Sequence, residues 1–452
     1  MTARIVIAAP ESGSGKTTVT AGLMKALTDK GLRVQGFKVG PDYIDPQCHR
    51  WATGRPSRNL DTWLMTAAQV QGVFRRGAIG ADIAVIEGVM GLYDGADGGT
   101  EIGSTAYLAK LLGAPVVLVI DANASARSAA AVALGFKLFD PAVPLAGVIC
   151  NRVAGPGHAA MLRAAFEAVG IPLLGAVYQD PALGVPEERL GLALPGGDET
   201  LPDWIGRAGA AVAERVDLDR LLALAAAPET ALGRVQADDP FAPAQAGRFD
   251  GLRLAVALDP AFWFYYADTL DLLQHWGVDL YFFSPLWGDE LPPQIDGLYL
   301  GGGFPERHAR ELAANERMRD AVRARMMLGL PMLAECGGYL YLLDGLTGED
   351  GVVYPMVGAI PGVAHLQDRL QGMGYRTAEP GGVKGHLFHY TRIEGGEGGS
   401  AWRLYHAGGA FDRVDGYRQG NLLASYLHIH HGTEPRVMAQ FLAECLRYRR
   451  EK

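Results

Sequence analysis

The feature that most restricts the fold of this chain is an alternation of short apolar segments with longer segments of helical periodicity. In the first half, apolar segments predict strands at residues 4–9, 34–38, 82–87, 116–121, 145–151 and 173–177. Helical periodicity predicts helices after Lys16 and at residues 103–112, 125–139 and 158–169. Continuously apolar strands that alternate with helices are typical of a doubly wound parallel sheet.

The same alternation restarts near residue 251, after a stretch of different character. Residues 204–227 are rich in alanine with helical periodicity, and the proline-containing polar sequence after them has no periodicity, which marks a linker. Beyond it we predict strands at 252–258 and 279–284 and helices at 266–276 and 306–327. The sequence therefore predicts two α/β domains, 1–190 and 251–452, joined by a helical segment and linker over 191–250.

Composition and charge narrow the class of protein. A chain of 452 residues is too long for one ordinary core, and 49% hydrophobic with 20% charged residues indicates a globular protein. The formal net charge of −9 argues against general nucleic-acid binding, which needs a basic face. We expect neither a signal peptide nor a membrane span, and hence a cytoplasmic protein. Four widely separated cysteines argue against a disulfide framework or a Cys-x-x-Cys zinc site: Cys48, Cys150, Cys336 and Cys445.

A cysteine stands where an apolar run meets two glycines. The run Pro-Met-Leu-Ala-Glu leads into Cys336, and an apolar stretch resumes after Gly337 and Gly338. This pattern predicts a buried strand, a sharp turn at the cysteine and a helix, a layout that presents a side chain clear of the sheet. The amides and dipole at the start of a helix favour a thiolate. We predict that Cys336 is a nucleophile; the alternative is a buried structural cysteine.

Histidines late in the chain could serve as its base. The segment Asn421–His431 predicts a strand with alternating exposure, which places His428 and His430 on one face. An imidazole within hydrogen-bond reach would keep the sulfur ionised, so we predict His428 as the catalytic partner. The alternatives are a surface histidine cluster and a zinc site.

Three consecutive glycines, Gly301 to Gly303, follow another predicted strand. Bare backbone amides can approach a ligand closely there, and we predict an oxyanion hole formed by Gly302, Gly303 and Gly337. With Gly-Gly-Gly-Phe-Pro-Glu, Ala-Glu-Cys-Gly-Gly and Ser-Tyr-Leu-His, the second half resembles a class I glutamine amidotransferase domain. The resemblance implies attack of cysteine on the glutamine amide, release of ammonia and hydrolysis of a thioester. The usual triad has a glutamate two residues after the histidine, where this chain has His430, so the resemblance implies a Cys336–His428 dyad.

A glycine-rich loop follows the first predicted strand and precedes a helix. Such a loop wraps phosphates with its amides, while Lys16 reaches the outer phosphates and the Thr17 hydroxyl ligates Mg²⁺. Pro10 stands where the first glycine of the strict motif would be, and a plain Gly/Ser turn is the alternative. We predict nucleotide binding by Ser12, Gly13, Ser14, Gly15, Lys16, Thr17 and Thr18, with Asn151 at the adenine edge.

Polar residues follow the second and third predicted strands, at the edge where such sheets bind ligands. Carboxylates of Asp42 and Glu87 would lie beside the Thr17 hydroxyl, so we predict that these three hold Mg²⁺. A Gly/Pro loop between the strands contains three arginines, which could bind substrate carboxylates or simply be surface charge. The predicted substrate-binding residues are Lys38, Asp42, Tyr43, Asp45, Arg50, Arg55, Arg58 and Asp94.

Three long motifs in the first half, together with those of the second, resemble one family. Phe-Lys-Val-Gly-Pro-Asp-Tyr-Ile-Asp-Pro, Gly-Arg-Pro-Ser-Arg-Asn-Leu-Asp and Glu-Gly-Val-Met-Gly-Leu-Tyr-Asp-Gly are similar to motifs of the a,c-diamide synthases of cobalamin synthesis. The ATP domain of that family is similar to dethiobiotin synthetase. The likeness covers nearly the whole chain. It implies an α/β fold, with a doubly wound parallel P-loop amidoligase domain followed by a class I glutaminase-type domain.

The resemblance also implies an activity and its partners. It implies ATP-dependent amidation of the a and c acetates of cobyrinic or hydrogenobyrinic acid through acyl phosphates, with ammonia from glutamine. Mg²⁺ is the implied cofactor, the corrin, glutamine and ATP are the implied partners, and a homodimer stays open. This chain departs from the family pattern at Ala9-Pro10 and at Leu387, where a glutamate is common. Alternatives are cobyric acid synthase, a Ni-sirohydrochlorin a,c-diamide synthase, a partitioning-type ATPase and a scaffold protein.

Overall fold

The computed structural model describes residues 2–185, 200–226, 239–395 and 400–452. Contacts divide the chain into two compact units, Met1–Gln236 and Ala237–Lys452. Each unit has its own sheet and its own apolar core. No helix in the described ranges is both long enough and apolar enough to cross a membrane.

The first unit is built on a seven-stranded sheet in the order β3-β2-β4-β1-β5-β6-β7, with every neighbouring pair parallel. The strands are almost continuously buried because helices cover both faces, which confirms the predicted doubly wound sheet. In chain order its elements are β1 (Ala3–Ala8), α1 (Lys16–Asp29), β2 (Val34–Val39), α2 (Asp45–Thr53), β3 (Arg58–Leu60), α3 (Ala67–Gly77), β4 (Ile83–Glu87), α4 (Thr105–Leu112), β5 (Val116–Asp121), α5 (Arg127–Phe139), β6 (Leu145–Val153), α6 (Pro156–Ala168), β7 (Leu173–Tyr178), α7 (Thr200–Arg215) and α8 (Leu218–Ala225).

The segment interpreted as a Gly/Pro loop contains regular structure that the sequence analysis missed. Helix α2 has Pro46 in its first turn and ends at Gly54 with a φ of +70°, and strand β3 follows it. Helix α3 begins at a capping box, in which the Thr66 hydroxyl accepts from Gln69 N and the Gln69 side chain accepts from Thr66 N. These start and stop signals are local and readable, but the helices are too short to show a clear apolar period.

The predicted helix at 204–227 is observed as α7 and α8, because the chain turns at Asp217, whose carboxylate accepts from Arg220 N at 3.0 Å. Helix α7 packs closely on α1: a Cβ added to Gly22 would lie 2.6 Å from Ala208 O. The structure therefore groups these helices with the first unit. Residues 186–199 and 227–238, which include the first part of the predicted linker, lie outside the described residues, whereas the rest of the predicted linker, from residue 239, is described and belongs to the second unit.

The second unit contains one main sheet and two smaller ones. The main sheet has the order β20-β21-β11-β10-β8-β9 and is parallel except for the edge strand β20. Two four-stranded sheets, β13-β12-β14-β17 and β16-β15-β18-β19, complete it. Its elements are β8 (Leu252–Ala257), α9 (Ala267–His275), β9 (Val278–Phe283), β10 (Gly297–Leu300), α10 (Ala309–Ala314), α11 (Glu316–Met327), β11 (Met332–Glu335), α12 (Gly337–Leu342), β12 (Leu343–Thr347), β13 (Val353–Pro355), β14 (Ile360–Leu366), β15 (Gly372–Glu379), β16 (Val383–His389), β17 (Thr391–Glu394), β18 (Trp402–His406), β19 (Phe411–Asp415), β20 (Tyr417–Gln419), β21 (Leu422–Ser425) and α13 (Arg436–Glu451).

Two predicted elements of this unit differ from the observed ones. The predicted helix 306–327 is divided at Asn315, whose side-chain oxygen accepts from Met318 N at 3.3 Å and starts α11. The predicted strand 421–431 ends at Ser425, and His428 forms only an isolated bridge with His386. The three histidines of that segment are at most 1% exposed, so the surface-cluster alternative is wrong.

Candidate active sites

The glycine-rich loop of the first unit lies between β1 and α1, as predicted. Gly13 and Gly15 have φ values of +85° and +84°, a region in which side chains are strained. A Cβ on Gly15 would lie 2.0 Å from Asn151 Nδ2, and that amide donates to Ser14 O at 3.1 Å. The predicted residue Asn151 is therefore held directly against the loop.

Side chains of the loop tie it to distant segments. Lys16 Nζ donates to Met90 O at 3.0 Å, and Thr17 Oγ1 donates to Glu87 Oε1 at 2.8 Å. Thr18 Oγ1 donates to Leu183 O at 3.2 Å. The sheet order explains the second contact, because β4 is the direct neighbour of β1.

A buried cluster of opposite charges lies beside the loop. Lys38 Nζ is 2.7 Å from Asp45 Oδ2, 3.5 Å from Glu87 Oε1 and 3.7 Å from Asp42 Oδ2. The other oxygen of Glu87 is 2.7 Å from His49 Nε2. We refer to Lys38, Asp42, Asp45, His49 and Glu87 as the charge cluster. His49 is a member that the sequence analysis did not assign to the site.

The cluster shifts the pKa values of Lys38, Glu87 and Asp45. Burial alone would lower the pKa of Lys38, but the carboxylates of Asp45, Glu87 and Asp42 raise it above its usual value. Burial alone would raise the pKa of Glu87, but Lys38, His49 and Lys16 lower it well below its usual value. Burial and the two neighbouring carboxylates raise the pKa of Asp45 against the effect of Lys38. Lys38 and Glu87 are therefore charged in the folded protein.

The residues predicted to hold Mg²⁺ were Thr17, Asp42 and Glu87. The Thr17 hydroxyl and the Glu87 carboxylate are adjacent and supply oxygen donors of the kind that Mg²⁺ accepts together with water and phosphate. In the described ranges, no group of three His, Cys, Asp or Glu residues is placed to hold a metal by itself. The donor set thus fits a cation shared with a phosphate ligand rather than an all-protein metal cage.

A cavity of about 760 Å³ opens over the loop and the charge cluster. It is lined by the glycine loop and by the predicted residues Lys38, Asp42, Asp45 and Asn151. Residues between 178 and 185 also line it, and these were not predicted from the sequence. Its lining contains Ser12, Gly13, Gly15, Lys16, Thr17, Thr18, Lys38, Asp42, Asp45, Val89, Met90, Asn151, Arg152, Tyr178, Gln179, Asp180, Pro181, Leu183, Gly184 and Val185. Ser14 is buried behind this surface.

The structure does not bring the other predicted substrate residues to this cavity. Arg55 donates to Gln35 Oε1 at 2.9 Å and to Ile79 O at 2.9 Å, which ties it to β2 and to the segment after α3 rather than to the cavity. Arg58 packs its Cδ where a Cβ on Gly77 would be, and Arg50 is exposed on α2. Asp94 accepts from Gly91 N at 3.0 Å, and Tyr43 is buried; neither lines the cavity.

In the second unit, Cys336 occupies a strained turn between β11 and α12. Its φ is +46° and its ψ is −105°, and its N–H donates to Ser425 O at 2.8 Å. A Cβ on Gly338 would lie 2.2 Å from Leu300 O, so only glycine fits there. Backbone strain of this kind in a non-glycine residue is typical of functional sites, and the predicted strand–turn–helix arrangement is observed.

The predicted oxyanion residues lie together beside this turn. A Cβ on Gly337 would be 3.0 Å from Gly303 N, so the two backbones are in direct contact. A Cβ on Gly302 would be 2.5 Å from Cε1 of His428, which places that ring against the same loop. Gly302 O accepts from Trp263 N and Phe264 N, both at 3.0 Å, which fixes the loop.

The thiol of Cys336 faces a small cavity of about 10 Å³. Within the described residues, its side-chain hydrogen bond goes to Phe388 O at 3.7 Å and not to a histidine. Burial raises the pKa of Cys336, Glu306 raises it further, and the N–H of Gly337 opposes them. The prediction that the helix start keeps a thiolate is wrong for this state, because desolvation exceeds the effect of a six-residue helix.

His428 lies near the turn without bonding the sulfur. Its ring stacks on His386 with centroids 4.9 Å apart, and burial lowers its pKa to about 3. Burial also lowers the pKa of His386 to about 3. His430 Nδ1 is 2.9 Å from Thr433 Oγ1. Both stacked imidazoles are therefore neutral at neutral pH.

Two further residues near the thiol escaped the sequence analysis. His389 lines the cavity with Cys336, donates from Nδ1 to Thr391 O at 2.9 Å and has a pKa that burial lowers to about 4. Glu335, directly before the cysteine, has one oxygen 3.0 Å from His431 Nε2 and accepts from Tyr299 at 2.8 Å with the other. In the sequence, the one indication of a role for Glu335 was its position directly before Cys336 in the Ala-Glu-Cys-Gly-Gly motif.

Glu335 supplies a buried carboxylate next to the histidine segment, whereas at positions 387 and 430 this sequence lacks the glutamate expected from the resemblance. Leu387, where a glutamate is common, is 1% exposed and belongs to the apolar core. His430, which stands at the usual position of the triad acid, bonds Thr433 instead. The buried carboxylate next to the histidine segment is thus contributed by β11, where its Oε1 also accepts from Ile429 N at 3.3 Å.

Comparison with known proteins agrees with this division into two sites. Residues 5–190 match the family model of the CobQ/CobB/MinD/ParA nucleotide binding domain, and residues 253–435 match that of the CobB/CobQ-like glutamine amidotransferase domain. The chain is 40% identical to a cobyrinate a,c-diamide synthase of Priestia megaterium, covering 99% of this chain and 98% of that protein. It is 43% identical to a hydrogenobyrinate a,c-diamide synthase of Streptomyces coelicolor, covering 98% and 97%.

A third relative, the cobyrinate a,c-diamide synthase of Dehalococcoides mccartyi, is 38% identical over 97% of both chains. In each case the likeness runs through both units, so it is not the product of one shared domain. The chain belongs to the family of cobyrinate and hydrogenobyrinate a,c-diamide synthases, with a nucleotide-binding unit followed by a glutamine amidotransferase unit.

Proposed function

We propose that this protein uses ATP and glutamine to amidate the a and c acetate carboxylates of cobyrinic or hydrogenobyrinic acid. Its relatives are named cobyrinate and hydrogenobyrinate a,c-diamide synthases, which supports this choice of substrate. The observation that carries the proposal is the pairing, in one chain, of a glycine loop over a charge cluster with a cysteine on a strained turn. The first suits phosphoryl transfer and the second suits acyl transfer.

At the second unit, we propose Cys336 as the nucleophile and His428 as its base. The thiol proton passes to the neutral imidazole while sulfur attacks the amide carbon, and the amides of Gly303 and Gly337 hold the oxyanion. The imidazolium then gives its proton to the amide nitrogen, so that ammonia leaves, and water hydrolyses the thioester to glutamate and the free thiol. Because the thiol now donates to Phe388 O, this step requires the sulfur or the ring to move first, as is common in ligand-free sites.

At the first unit, the substrate carboxylate takes the γ-phosphoryl group of ATP and ADP leaves, which gives an acyl phosphate; a bare carboxylate has no adequate leaving group that ammonia could displace. Lys16 and the amides of residues 13–18 would stabilise the phosphate charge, and Asn151 would contact the base. Thr17 and Glu87 would hold Mg²⁺, with Asp42 nearby, and the ion would neutralise phosphate oxygens. Ammonia then attacks the acyl carbon, and phosphate leaves.

The corrin is proposed to meet the same cavity through Lys38, Asp42 and Asp45, which line it. We leave Arg50, Arg55 and Arg58 out of this proposal, because their observed contacts lie elsewhere. A homodimer and a cytoplasmic location stay predictions.

Product analysis tests the proposed function. The protein is incubated with ATP, Mg²⁺, glutamine and, in turn, cobyrinic acid, hydrogenobyrinic acid, a,c-diamidated corrin and Ni-sirohydrochlorin, and products are identified by mass spectrometry. We expect a diamide from one of the first two. Turnover of only the already diamidated corrin would favour a cobyric acid synthase, and turnover of only Ni-sirohydrochlorin would favour the nickel-tetrapyrrole enzyme.

A further inference from the structure

Glu306 ends the Gly-Gly-Gly-Phe-Pro-Glu motif, and none of the roles assigned above uses it. It lies in the short helical turn Pro305–His308, directly after the glycines that face Cys336. The turn is fixed close to the nucleophile, because a Cβ on Gly337 would lie 2.9 Å from Cδ of Pro305. The carboxylate is therefore held on the rim of the reaction centre by rigid backbone.

Two cavities meet at this residue. The inner one contains the thiol of Cys336, and an outer one of about 460 Å³ opens beside it. Phe304, Glu306 and Tyr390 line both. A ligand that reaches the thiol from the outer cavity must pass this carboxylate.

Within the described residues, the carboxylate of Glu306 has no ion-pair partner and accepts no hydrogen bond from another side chain. The nearest cation in sequence, Arg307, is 3.3 Å from Glu349 instead. Burial raises the pKa of Glu306 to about 7, and its own N–H and Arg307 only partly oppose this. A crowded carboxylate without a cation is costly unless a ligand supplies one.

We propose that Glu306 binds the α-ammonium group of glutamine and so selects it over other primary amides. Four bonds separate the amide carbon of glutamine from its α-nitrogen, roughly 5 Å when extended, given bonds of about 1.5 Å. The amide would reach Cys336 while the ammonium stays at the junction of the two cavities. The inner cavity of about 10 Å³ holds no more than one water, so Phe304 and Tyr390 must move to admit the amide.

This contact would couple substrate binding to activation of the nucleophile. Glu306 is the charged group that contributes most to the raised pKa of the Cys336 thiol, after burial itself. An ammonium at Glu306 cancels that negative charge, and it therefore makes loss of the thiol proton easier when glutamine is present. The enzyme without substrate would keep a protonated and less reactive thiol.

The test compares glutamine with 4-carbamoylbutanoate, which is glutamine without its α-amino group. This inference rests on the glutaminase step of the proposed function. In the full-length wild-type protein we expect kcat/KM for glutamine to exceed that for the analogue by roughly 30-fold or more, because a charge contact at a half-buried carboxylate is lost. In Glu306→Gln we expect the preference to fall to within roughly threefold, since the two changes remove the same interaction.

Two more variants separate this role from a structural one. Glu349→Gln makes the same substitution in the outer cavity at a residue that pairs with Arg307, and we expect it to retain the preference. Glu306→Asp keeps the charge and should recover part of the preference, with circular dichroism confirming that each variant is folded. If Glu306→Gln slows both amides equally and the preference survives, the inference is overturned. If the wild type hydrolyses neither amide, the proposed function fails first.

Discussion

The two candidate sites differ in the charge of their functional groups: those of the first unit are held charged, and those of the second unit are held neutral. Beside the glycine loop of the first unit, Lys38 is held charged among carboxylates at 2.7 to 3.7 Å, and Glu87 is held charged by Lys38 and His49. At the turn of the second unit, burial raises the pKa of Cys336 and lowers that of His428 to about 3, so both groups are neutral.

The difference follows from what each site must do before its substrate arrives. Phosphates are charged in solution, so a site that receives them gains from fixed charges and dipoles already in place. A thiol that is ionised without substrate is open to oxidation and side reactions, whereas a neutral buried thiol is not. The charges of the first site are therefore in place before its ligand binds, whereas the second site needs its ligand to supply the missing positive charge.

The sharpest way to separate the two sites is to remove the sulfur. In Cys336→Ala we expect glutamine-dependent amidation to fall by roughly 10³-fold or more, because no covalent intermediate can form. Amidation with added ammonium salt should persist, because the charge cluster is unchanged. Glutamate release and amidated corrin are measured in the same reactions with each nitrogen source.

Cys445→Ala is the matched control, since Cys445 is also a buried cysteine of the second unit but lies against Gly297 in the core. It should lose some stability and keep its glutamine-dependent rate. Equal loss with glutamine and with ammonium in Cys336→Ala would contradict the separation of the two sites.

Breaking the charge cluster should cost stability rather than glutaminase chemistry. In Lys38→Met the three carboxylates lose their buried cation, and we expect the free energy of unfolding to fall by about 3–5 kcal/mol. Urea unfolding of the full chain measures this. Lys30→Met removes an exposed ion pair with Asp219 and should change the free energy by less than about 1 kcal/mol. If both variants lower the free energy of unfolding by a similar, small amount, the charge of Lys38 does not stabilise the cluster.

The neutral histidines of the second unit predict a difference in pH dependence. His386 and His428 have folded-state pKa values lowered to about 3, below the value of about 6.5 for an unfolded histidine. As pH falls below 6.5 the unfolded state takes up protons that the folded state refuses, so each histidine costs about 2 kcal/mol of stability by pH 5. Glu87 has a lowered pKa and contributes stability that is lost only below about pH 4.5.

Hydrogen exchange with mass spectrometry, corrected for intrinsic rates, follows both units in one sample between pH 7 and pH 5. We expect protection near β16 and β21 to fall well before protection near β2 and β4. Parallel loss in the two units would mean that the buried histidines do not control the acid response of the second one.

The sequence was sufficient for features with a local cause. The strands before the glycine loop and before Cys336 were predictable because continuous apolar runs and adjacent glycines have few other structural solutions. The small sheets between β12 and β19 were not, because their strands are partly exposed and, except for the β12–β14 pair, antiparallel, with glycines and polar residues interrupting the alternation.

The contacts between side chains could not be predicted from the sequence, because they depend on tertiary packing. Lys38 meets Glu87 only because β2 and β4 are neighbours in the sheet, a pairing between residues far apart in the chain. Arg55 looked like a substrate ligand in its motif, but its guanidinium direction, towards Ile79 O, depends on tertiary packing. Glu306 lies in the Gly-Gly-Gly-Phe-Pro-Glu motif, yet the sequence does not show which side chains surround it, and only the described structure shows that none of those residues gives it an ion pair.

The smallest expected effect concerns the close fit between the glycine loop and Asn151 before ATP binds. Gly13 and Gly15 share a φ near +85°, and replacing either with alanine costs roughly 1–2 kcal/mol of backbone strain. Only at Gly15 would the new Cβ collide, at 2.0 Å from Asn151 Nδ2, whereas Gly13 has open space. We expect Gly15→Ala to weaken ATP binding, measured by calorimetry, roughly tenfold more than Gly13→Ala does, because the displaced amide also loses Ser14 O.

A background of Asn151→Ala isolates the collision from the strain. There the obstructing amide is absent, so Gly15→Ala should cost no more ATP affinity than Gly13→Ala costs in the same background. If the tenfold gap persists without Asn151, the loop itself and not its contact with β6 sets the phosphate geometry. The contact between Asn151 and the loop would then not be needed to prepare the first site for ATP. The two sites would differ only in the charge of their groups before the ligand binds.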